Sequence, residues 1–189
     1  MITAIAIATL LAGCPIIQTP ARGVASGGGG GGTTYNSFTS FDSVPGGVAK
    51  RSNYSGRLGH RFTPSANITV TQLGRWSVPG NTGSVTVRLQ DSSGTDLATA
   101  SVDVSAGSNA MAYATLGSPV SLTSGTTYNI VAQEVSGGNE WWDSGIVVTF
   151  NTTHLGSFTS VFASGTSGVL GDVTANTTYG PVGFKYTQP

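Results

Sequence analysis

The fold is decided by two stretches, Asn67-Ile68-Thr69-Val70-Thr71-Gln72-Leu73 and Ser84-Val85-Thr86-Val87-Arg88-Leu89. In both, apolar and polar side chains alternate. Successive residues of a strand point to opposite faces, so this alternation is typical of a half-buried β-strand. A helix would instead repeat its apolar residues every three or four positions. Residues 90–96 (QDSSGTD) follow the second stretch with turn-forming residue types. The two stretches therefore predict β-structure.

Similar short apolar segments recur along the rest of the chain, at a spacing of about ten residues. Turn signals rich in Gly, Pro, Asn and Ser separate them. Short strands at this spacing favour an antiparallel sandwich. We therefore predict an all-β chain that forms an antiparallel β-sandwich with jelly-roll topology and an extended N-terminal arm. The further predicted strands are 97–104, 110–116, 120–122, 127–135, 146–150, 158–162 and 182–186.

The composition excludes several classes of protein. Charged residues make up 8% of the chain, against about 25% in average proteins. Eight Lys and Arg balance eight Asp and Glu. Because phosphate binding needs clustered cations, this balance predicts no nucleic-acid partner. Disorder throughout is a poor fit, since 38% of the residues are hydrophobic.

The N-terminal region has the composition of an anchor followed by a linker. Residues 1–13 are apolar and uncharged, but a membrane-spanning helix needs about 20 such residues. Residues 27–32 are an unbroken glycine run, which is typical of a flexible linker. We therefore predict an apolar N-terminal anchor or signal-like arm at 1–26, a Gly-rich linker and lead-in at 27–53, and a β-sandwich domain at 54–189.

The single cysteine, Cys14, allows two interpretations of that arm. Leu11-Ala12-Gly13-Cys14 resembles a bacterial lipobox, in which cleavage before the cysteine leaves it as a lipidated N-terminus. However, no basic residue precedes Arg22, whereas a signal peptide begins with a positively charged region. We expect that residues 1–32 stay uncleaved and dock on neighbouring subunits of a larger assembly. The alternative is a lipoprotein anchored through Cys14.

Several short motifs lie in the predicted sandwich. They are LGRW at 73–76, PGN at 79–81, GTTY at 125–128, QE at 133–134, SGG at 136–138, WWD at 141–143 and GPVGFKY at 180–186. Together they resemble an uncharacterised β-sandwich, jelly-roll-like module of bacterial exported proteins and phage virion proteins. Such modules accompany glycoside hydrolases, adhesins and anchoring domains. The resemblance implies a sandwich fold and carries no established catalytic residue.

Trp141 and Trp142 are the candidate ligand-binding residues. Because they are adjacent in a strand, we expect one in the core and the other near the surface. An exposed indole beside carboxylates and amides suits a sugar ring, since its face is apolar and its edge is polar. We therefore predict a glycan site of Trp141 and Trp142 with Asn139, Glu140 and Asp143. The competing interpretation is that both tryptophans pack against loops.

Catalytic and metal sites are weaker hypotheses. Glu134, Glu140 and Asp143 lie close together in sequence, and two carboxylates beside aromatic residues are typical of a glycosidase. The same residues equally fit strand ends and turns, so we predict no enzyme activity. His60 and His154 have no cysteine or carboxylate at ligand spacing. We therefore predict no metal site and no cofactor.

Half of the chain's Lys and Arg residues fall in one short segment. They are Lys50, Arg51, Arg57 and Arg61. We predict that this basic group is a solvated edge of the sandwich. The alternative is a surface that meets an acidic partner or an anionic glycan.

Taken together, these features predict a non-enzymatic structural or adhesive protein. We expect a component of the virion surface, a capsid decoration or fibre-type protein, whose sandwich faces outward and binds host or environmental glycans. One alternative is a bacterial lipoprotein of the outer membrane or cell surface with a polysaccharide-binding sandwich. Membrane contact would then depend on a lipidated Cys14. A second alternative is an accessory module of a carbohydrate-active enzyme.

Overall fold

A computed structural model describes residues 32–43, 50–142, 147–173, 179 and 182–189. These ranges contain β-strands joined by turns and loops. None of these ranges contains a helix with the length and hydropathy needed to cross a membrane. The strands are β1 (Thr34–Asn36), β2 (Phe38–Ser43), β3 (Lys50–Arg51), β4 (Gly56–Pro64), β5 (Ile68–Ser77), β6 (Ser84–Asp91), β7 (Asp96–Asp103), β8 (Ala110–Leu122), β9 (Tyr128–Glu134), β10 (Trp141–Trp142), β11 (Val147–Phe150), β12 (Leu155–Ser164), β13 (Gly171–Asp172) and β14 (Val182–Thr187).

Two antiparallel sheets form the fold. The smaller sheet has the strand order β1-β14-β5-β8, and the larger has the order β13-β12-β4-β9-β6-β7. Two short ribbons, β3 with β10 and β2 with β11, are also antiparallel. Buried residues of both sheets pack into one hydrophobic cluster between them. The prediction of an all-β antiparallel sandwich is therefore confirmed.

The alternation that predicted β6 places its apolar side chains in the core. Val85, Val87 and Leu89 are buried, whereas Ser84 and Thr86 are exposed. The three buried residues pack with inward-facing residues of the smaller sheet. Full burial of one such side chain stabilises the fold by about 1.5–3 kcal/mol. The same relation holds in the first part of β5 and in β7, whereas β9 and β14 are buried along nearly their whole length.

The central strand β4 has no such pattern. Its sequence, GRLGHRFTP, does not alternate, yet it pairs with β12 on one side and with β9 on the other. Arg57 and His60 are fully buried within it. Val131 and Val161 form a second small cluster with Leu170, separate from the main core. The strand is thus covered on both faces, which explains how it carries charged and polar residues inside the protein.

The sandwich begins before residue 54. Residues 32–189 form one compact unit. The β1 strand pairs with β14, and β3 pairs with β10. Strands therefore occupy parts of the range 32–53 that the sequence assigns to a linker and lead-in. The predicted arm at 1–26, with Cys14, lies outside the residues that the structure describes.

Gly59 is required where β4 and β9 pair closely. A Cβ atom at this position would overlap the carbonyl oxygen of Ile130. We expect Gly59→Ala to lower the free energy of unfolding by about 1–3 kcal/mol, because the two strands would have to separate. Urea denaturation followed by tryptophan fluorescence measures this. Gly117→Ala is the matched control, since nothing lies within 4 Å of its Cβ position. An equal effect of the two substitutions would contradict the prediction.

Candidate functional site

The ribbon of β3 and β10 positions both candidate tryptophans. Trp141 lies opposite Arg51, and Trp142 lies opposite Lys50. Consecutive strand residues point to opposite faces. The ribbon therefore has a Trp141–Arg51 face and a Trp142–Lys50 face. Trp141 is buried and Trp142 is half-buried, which confirms the prediction that one enters the core and the other lies near the surface.

On the Trp142–Lys50 face, polar groups gather around the lysine. The Lys50 Nζ atom lies 5.8 Å from the centre of the Trp142 ring. It also lies 3.3 Å from Oε2 of Glu140 and donates a hydrogen bond of 3.2 Å to the carbonyl oxygen of Pro79. The ion pair is exposed, so it contributes at most about 1 kcal/mol. Glu140 and Trp142 thus meet through Lys50, and the lysine covers part of the indole.

Asn139 makes a contact between two loops. Its Oδ1 atom accepts a hydrogen bond of 2.8 Å from the backbone N–H of Thr82. Nearby, the Asn81 side chain bonds the backbone of Glu140 twice, accepting from its N–H at 2.8 Å and donating to its carbonyl oxygen at 3.0 Å. These contacts hold two loops together. The Asn139 amide oxygen therefore positions backbone, whereas Asp143 lies outside the described residues.

A cavity of about 140 Å³ lies on the Trp141–Arg51 face. Four of the side chains around it are aromatic, and one is a guanidinium. Trp141 and Tyr54 meet edge to face, with their ring centres 6.4 Å apart. Although Trp141 is only 2% exposed, Phe162 is 42% exposed, so the wall that it forms reaches the surface. The lining residues are Arg51, Tyr54, Leu58, Trp141, Phe162 and Tyr179.

Two side chains that line this cavity carry buried polar groups. The Nε1–H of Trp141 is buried and has no acceptor among the residues that the structure describes. A buried donor without an acceptor costs the fold about 1–3 kcal/mol. Burial raises the pKa of the Tyr54 hydroxyl above its usual value of 10.0. This hydroxyl therefore stays protonated at neutral pH.

A glycine allows Tyr54 to reach its position. A Cβ atom at Gly56 would overlap the Tyr54 ring and the carbonyl oxygen of Ala163 in the neighbouring strand. Leu58 and Phe162 are directly opposite each other in the β4–β12 pair. One side of the cavity is therefore built on the larger sheet, and the Trp141–Arg51 face of the ribbon forms another.

Glu134, a candidate catalytic carboxylate, is sealed inside the sandwich. Its Oε1 atom accepts a hydrogen bond of 3.0 Å from Nε of Arg75 and lies 2.9 Å from the second guanidinium nitrogen, Nη2. The two side chains are 2% and 0% exposed. Arg75 also donates to the carbonyl oxygen of Trp76 at 3.1 Å. The pair joins the two sheets, so Glu134 is a structural residue here and does not line the cavity.

The prediction of a solvated basic edge is wrong for Arg57. This side chain is fully buried and donates to the carbonyl oxygens of Ser167 and Gly168 at 2.6 and 2.8 Å. Arg61 forms an ion pair with Asp172. Both arginines therefore hold the segment 165–172 against the larger sheet. The sequence could not reveal these partners, because more than a hundred residues separate them from the arginines.

The described ranges contain no group of three or more His, Cys, Asp or Glu side chains arranged to hold a metal ion. His60 and His154 lie on separate elements, and neither lines the cavity. His154 Nδ1 lies 3.4 Å from the hydroxyl of Tyr186.

A protein-family model matches most of the chain. A family model described as a domain of unknown function (DUF4082) matches residues 42–180. The chain belongs to the DUF4082 family. No curated protein matches the chain. The DUF4082 range contains both strands of the ribbon and all the described residues that line the cavity.

Most of the residues that line the cavity of this DUF4082 chain could not be predicted from the sequence. Tyr54 and Leu58 are neighbours in sequence, whereas Phe162 and Tyr179 are distant, and the register of β4 with β12 brings Leu58 and Phe162 together. Phe162 alone falls in a predicted strand. The sequence shows only that an aromatic residue, Phe162, stands at the end of that strand. Its exposure, which is typical of a contact surface, becomes visible in the structure.

Proposed function

We propose that the chain is a non-enzymatic carbohydrate-binding module and that a sugar ring enters the cavity on the Trp141–Arg51 face. The observation that carries this proposal is the cavity lining, four aromatic side chains and an arginine around about 140 Å³. An aromatic face packs against the apolar face of a sugar, and a few polar groups then fix its orientation.

Of the two predicted tryptophans, the proposed site uses Trp141. Trp142 is the more accessible of the two, but Lys50 lies over its ring and also contacts Glu140. Trp141 instead presents its ring to a concave space that the Tyr54 ring shares. A concave aromatic site buries more of a ligand than a single flat ring does. The glycan therefore contacts the opposite face of the ribbon from Glu140.

The test compares one residue on each face. We expect Phe162→Ala to weaken sugar binding by about tenfold, since loss of one stacking wall removes about 1.4 kcal/mol. Trp142→Ala is the matched control and should change the dissociation constant by less than about twofold. A glycan array with the native chain identifies the sugar, and isothermal titration calorimetry then measures each variant. Thermal melts confirm that both variants fold.

Three outcomes of this experiment test the proposed site and the proposed function. Loss of binding in Phe162→Ala with retention in Trp142→Ala supports the cavity. The reverse pattern places the sugar on the Trp142–Lys50 face and overturns the proposed site. No binding of the native chain to any glycan overturns the proposed function.

The setting that we propose for this module is display on a surface through residues 1–32. The apolar segment 1–13 and the glycine run at 27–32 support it, because they suit an anchor and a spacer. A virion surface and a lipoprotein anchored through Cys14 stay predictions. In either setting the sandwich is the part that meets the glycan.

A further inference from the structure

The cavity on the Trp141–Arg51 face has room for a single small group or ring. A dry protein cavity of about 150 Å³ holds one benzene molecule, and this cavity has about 140 Å³. Its opening lies at Phe162, which is 42% exposed. A glycan therefore places no more than one terminal unit inside, and the linked sugars stay in solvent.

Most of the described cavity wall presents carbon rather than polar atoms. Leu58 and Phe162 have no polar atom in their side chains. Tyr54 and Trp141 each have one, but the Tyr54 hydroxyl and the Trp141 Nε1 atom are buried and lack accessible surface. These two rings therefore also face the cavity with carbon alone.

Such a wall distinguishes a methyl group from a hydroxyl group. A hydroxyl that leaves water without a new hydrogen bond loses affinity, whereas a methyl group gains affinity when it is buried. Among the described lining residues only Arg51 and Tyr179 remain as polar residues, and Arg51 already has an interaction partner. The cavity therefore favours a part of the sugar that consists of carbon and hydrogen only.

From the size and the chemistry of the wall we infer that the cavity recognises a terminal 6-deoxyhexose by its methyl group. The methyl group packs against Tyr54, Leu58 and Trp141, and the ring hydroxyls face the opening and stay hydrated. An ordinary hexose has a hydroxyl group in place of one hydrogen of that methyl, and this hydroxyl would lose its water. The inference rests on the proposed function, because it assumes that the ligand is a sugar.

The acetamido group of an N-acetyl sugar is the main competitor, because it also ends in a methyl group. Its amide N–H and carbonyl oxygen lie directly beside that methyl and would enter the cavity with it. Both need hydrogen-bond partners, and the carbon walls supply none, so their burial costs affinity. The methyl group of a 6-deoxyhexose is attached to a ring carbon and brings no polar atom of its own.

The experiment uses the full chain and isothermal titration calorimetry with sugars that differ by one hydroxyl group. The pairs are L-fucose with L-galactose, L-rhamnose with L-mannose, and 6-deoxy-D-glucose with D-glucose. N-acetyl-D-glucosamine is a further ligand. We expect at least one 6-deoxy sugar to bind about tenfold more tightly than its parent hexose, since the parent buries an unpaired hydroxyl.

The Leu58→Asn variant tests the carbon wall directly. Asparagine has the same branched arrangement of heavy atoms as leucine, and its amide is able to pair with a hydroxyl group. We expect the preference for the 6-deoxy sugar to fall below about twofold. Leu97→Asn is the matched control, because Leu97 is exposed in β7 and does not line the cavity; it should keep the full preference. Thermal melts show whether both variants fold.

Each other outcome overturns a defined statement. If no 6-deoxy sugar binds more tightly than its parent, or if N-acetyl-D-glucosamine binds more tightly than all of them, the methyl inference fails, while any binding to a glycan keeps the proposed function. If no sugar binds and the glycan array is also negative, both statements fail. A preference that survives unchanged in a folded Leu58→Asn variant places the methyl group away from this wall and overturns the inference. The native chain alone decides the first two cases.

Discussion

Replacing Glu134 with leucine is expected to lower the free energy of unfolding by about 3–5 kcal/mol. Its carboxylate and the Arg75 guanidinium face each other inside the sandwich, where neither reaches solvent. Removal of the carboxylate leaves the arginine charge buried without a counter-ion. A charge in that position interacts poorly with the apolar interior and has no water to replace the lost partner. Urea denaturation at neutral pH, followed by circular dichroism, measures the loss.

The double variant Arg75→Met/Glu134→Leu is the matched control. It removes both charges and keeps similar side-chain volumes, so we expect it to regain most of the stability that the single variant loses. Recovery will be incomplete, because Arg75 also donates to the carbonyl oxygen of Trp76. A single-variant loss below about 1 kcal/mol, typical of an exposed pair, would contradict the prediction. A double-variant loss as large as the sum of both single losses would also contradict it.

The Arg75–Glu134 ion pair lies next to a strand that supports the cavity. Glu134 lies opposite Gly56 in the β9–β4 pairing. Gly56 is the residue on which the Tyr54 ring packs. The ion pair therefore fixes the end of β9 beside the strand that supports one wall of the cavity. A carboxylate that the sequence groups with Glu140 and Asp143 as a possible acid–base set thus contributes to the framework of a binding site.

Alternating apolar and polar residues predict a strand where one of its faces is buried and the other is exposed to solvent. Ser84 to Leu89 and Asn67 to Leu73 show this case, since their side chains alternate in burial as their residue types do. Strand β4 could not be predicted, because buried positions in it carry Arg57 and His60 in place of apolar residues. Arg57 is buried there because distant carbonyl oxygens accept its hydrogen bonds. Local sequence carries no information about partners that distant.

The site could be predicted only in part for the same reason. The adjacent pair Trp141–Trp142 marks the ribbon, and strand geometry predicts that its two rings face opposite ways. Which ring borders a cavity depends on Tyr54 and Phe162, and these reach it through the pairing of β3 with β10 and of β4 with β12. The register of long-range strand pairs is a property of the whole sheet. It explains why the prediction named both tryptophans and did not choose between them.

A second large effect is expected from His60 in acid. This side chain is fully buried in β4, with its ring centre 5.1 Å from that of Phe150 and 6.3 Å from that of Phe158. Burial lowers the pKa of His60 from 6.5 to about 3. The folded chain therefore keeps this imidazole neutral across the range in which an unfolded histidine takes up a proton.

The sign of the effect follows from proton uptake. Between pH 6.5 and about 3 the unfolded chain binds a proton at His60 that the folded chain does not bind. The free energy of unfolding then falls as the pH falls, by about 1.4 kcal/mol for each pH unit and by about 2 kcal/mol between pH 7 and pH 5. Above pH 6.5 the histidine is neutral in both states and contributes no pH dependence.

The His60→Phe variant isolates this contribution, because phenylalanine keeps a ring among Phe150 and Phe158 and has no proton to bind. Urea denaturation of both chains at pH 7.5, 6 and 5 should show a steep loss in the native chain and a shallow one in the variant. Parallel curves would contradict the prediction.

Hydrogen bonds from Ser93 and Ser105 lower the pKa of Asp91 and Asp103, respectively. Those carboxylates stabilise the folded chain above their unfolded pKa of about 3.9 and lose that effect only in stronger acid, so a difference between the two chains at pH 5 belongs to His60.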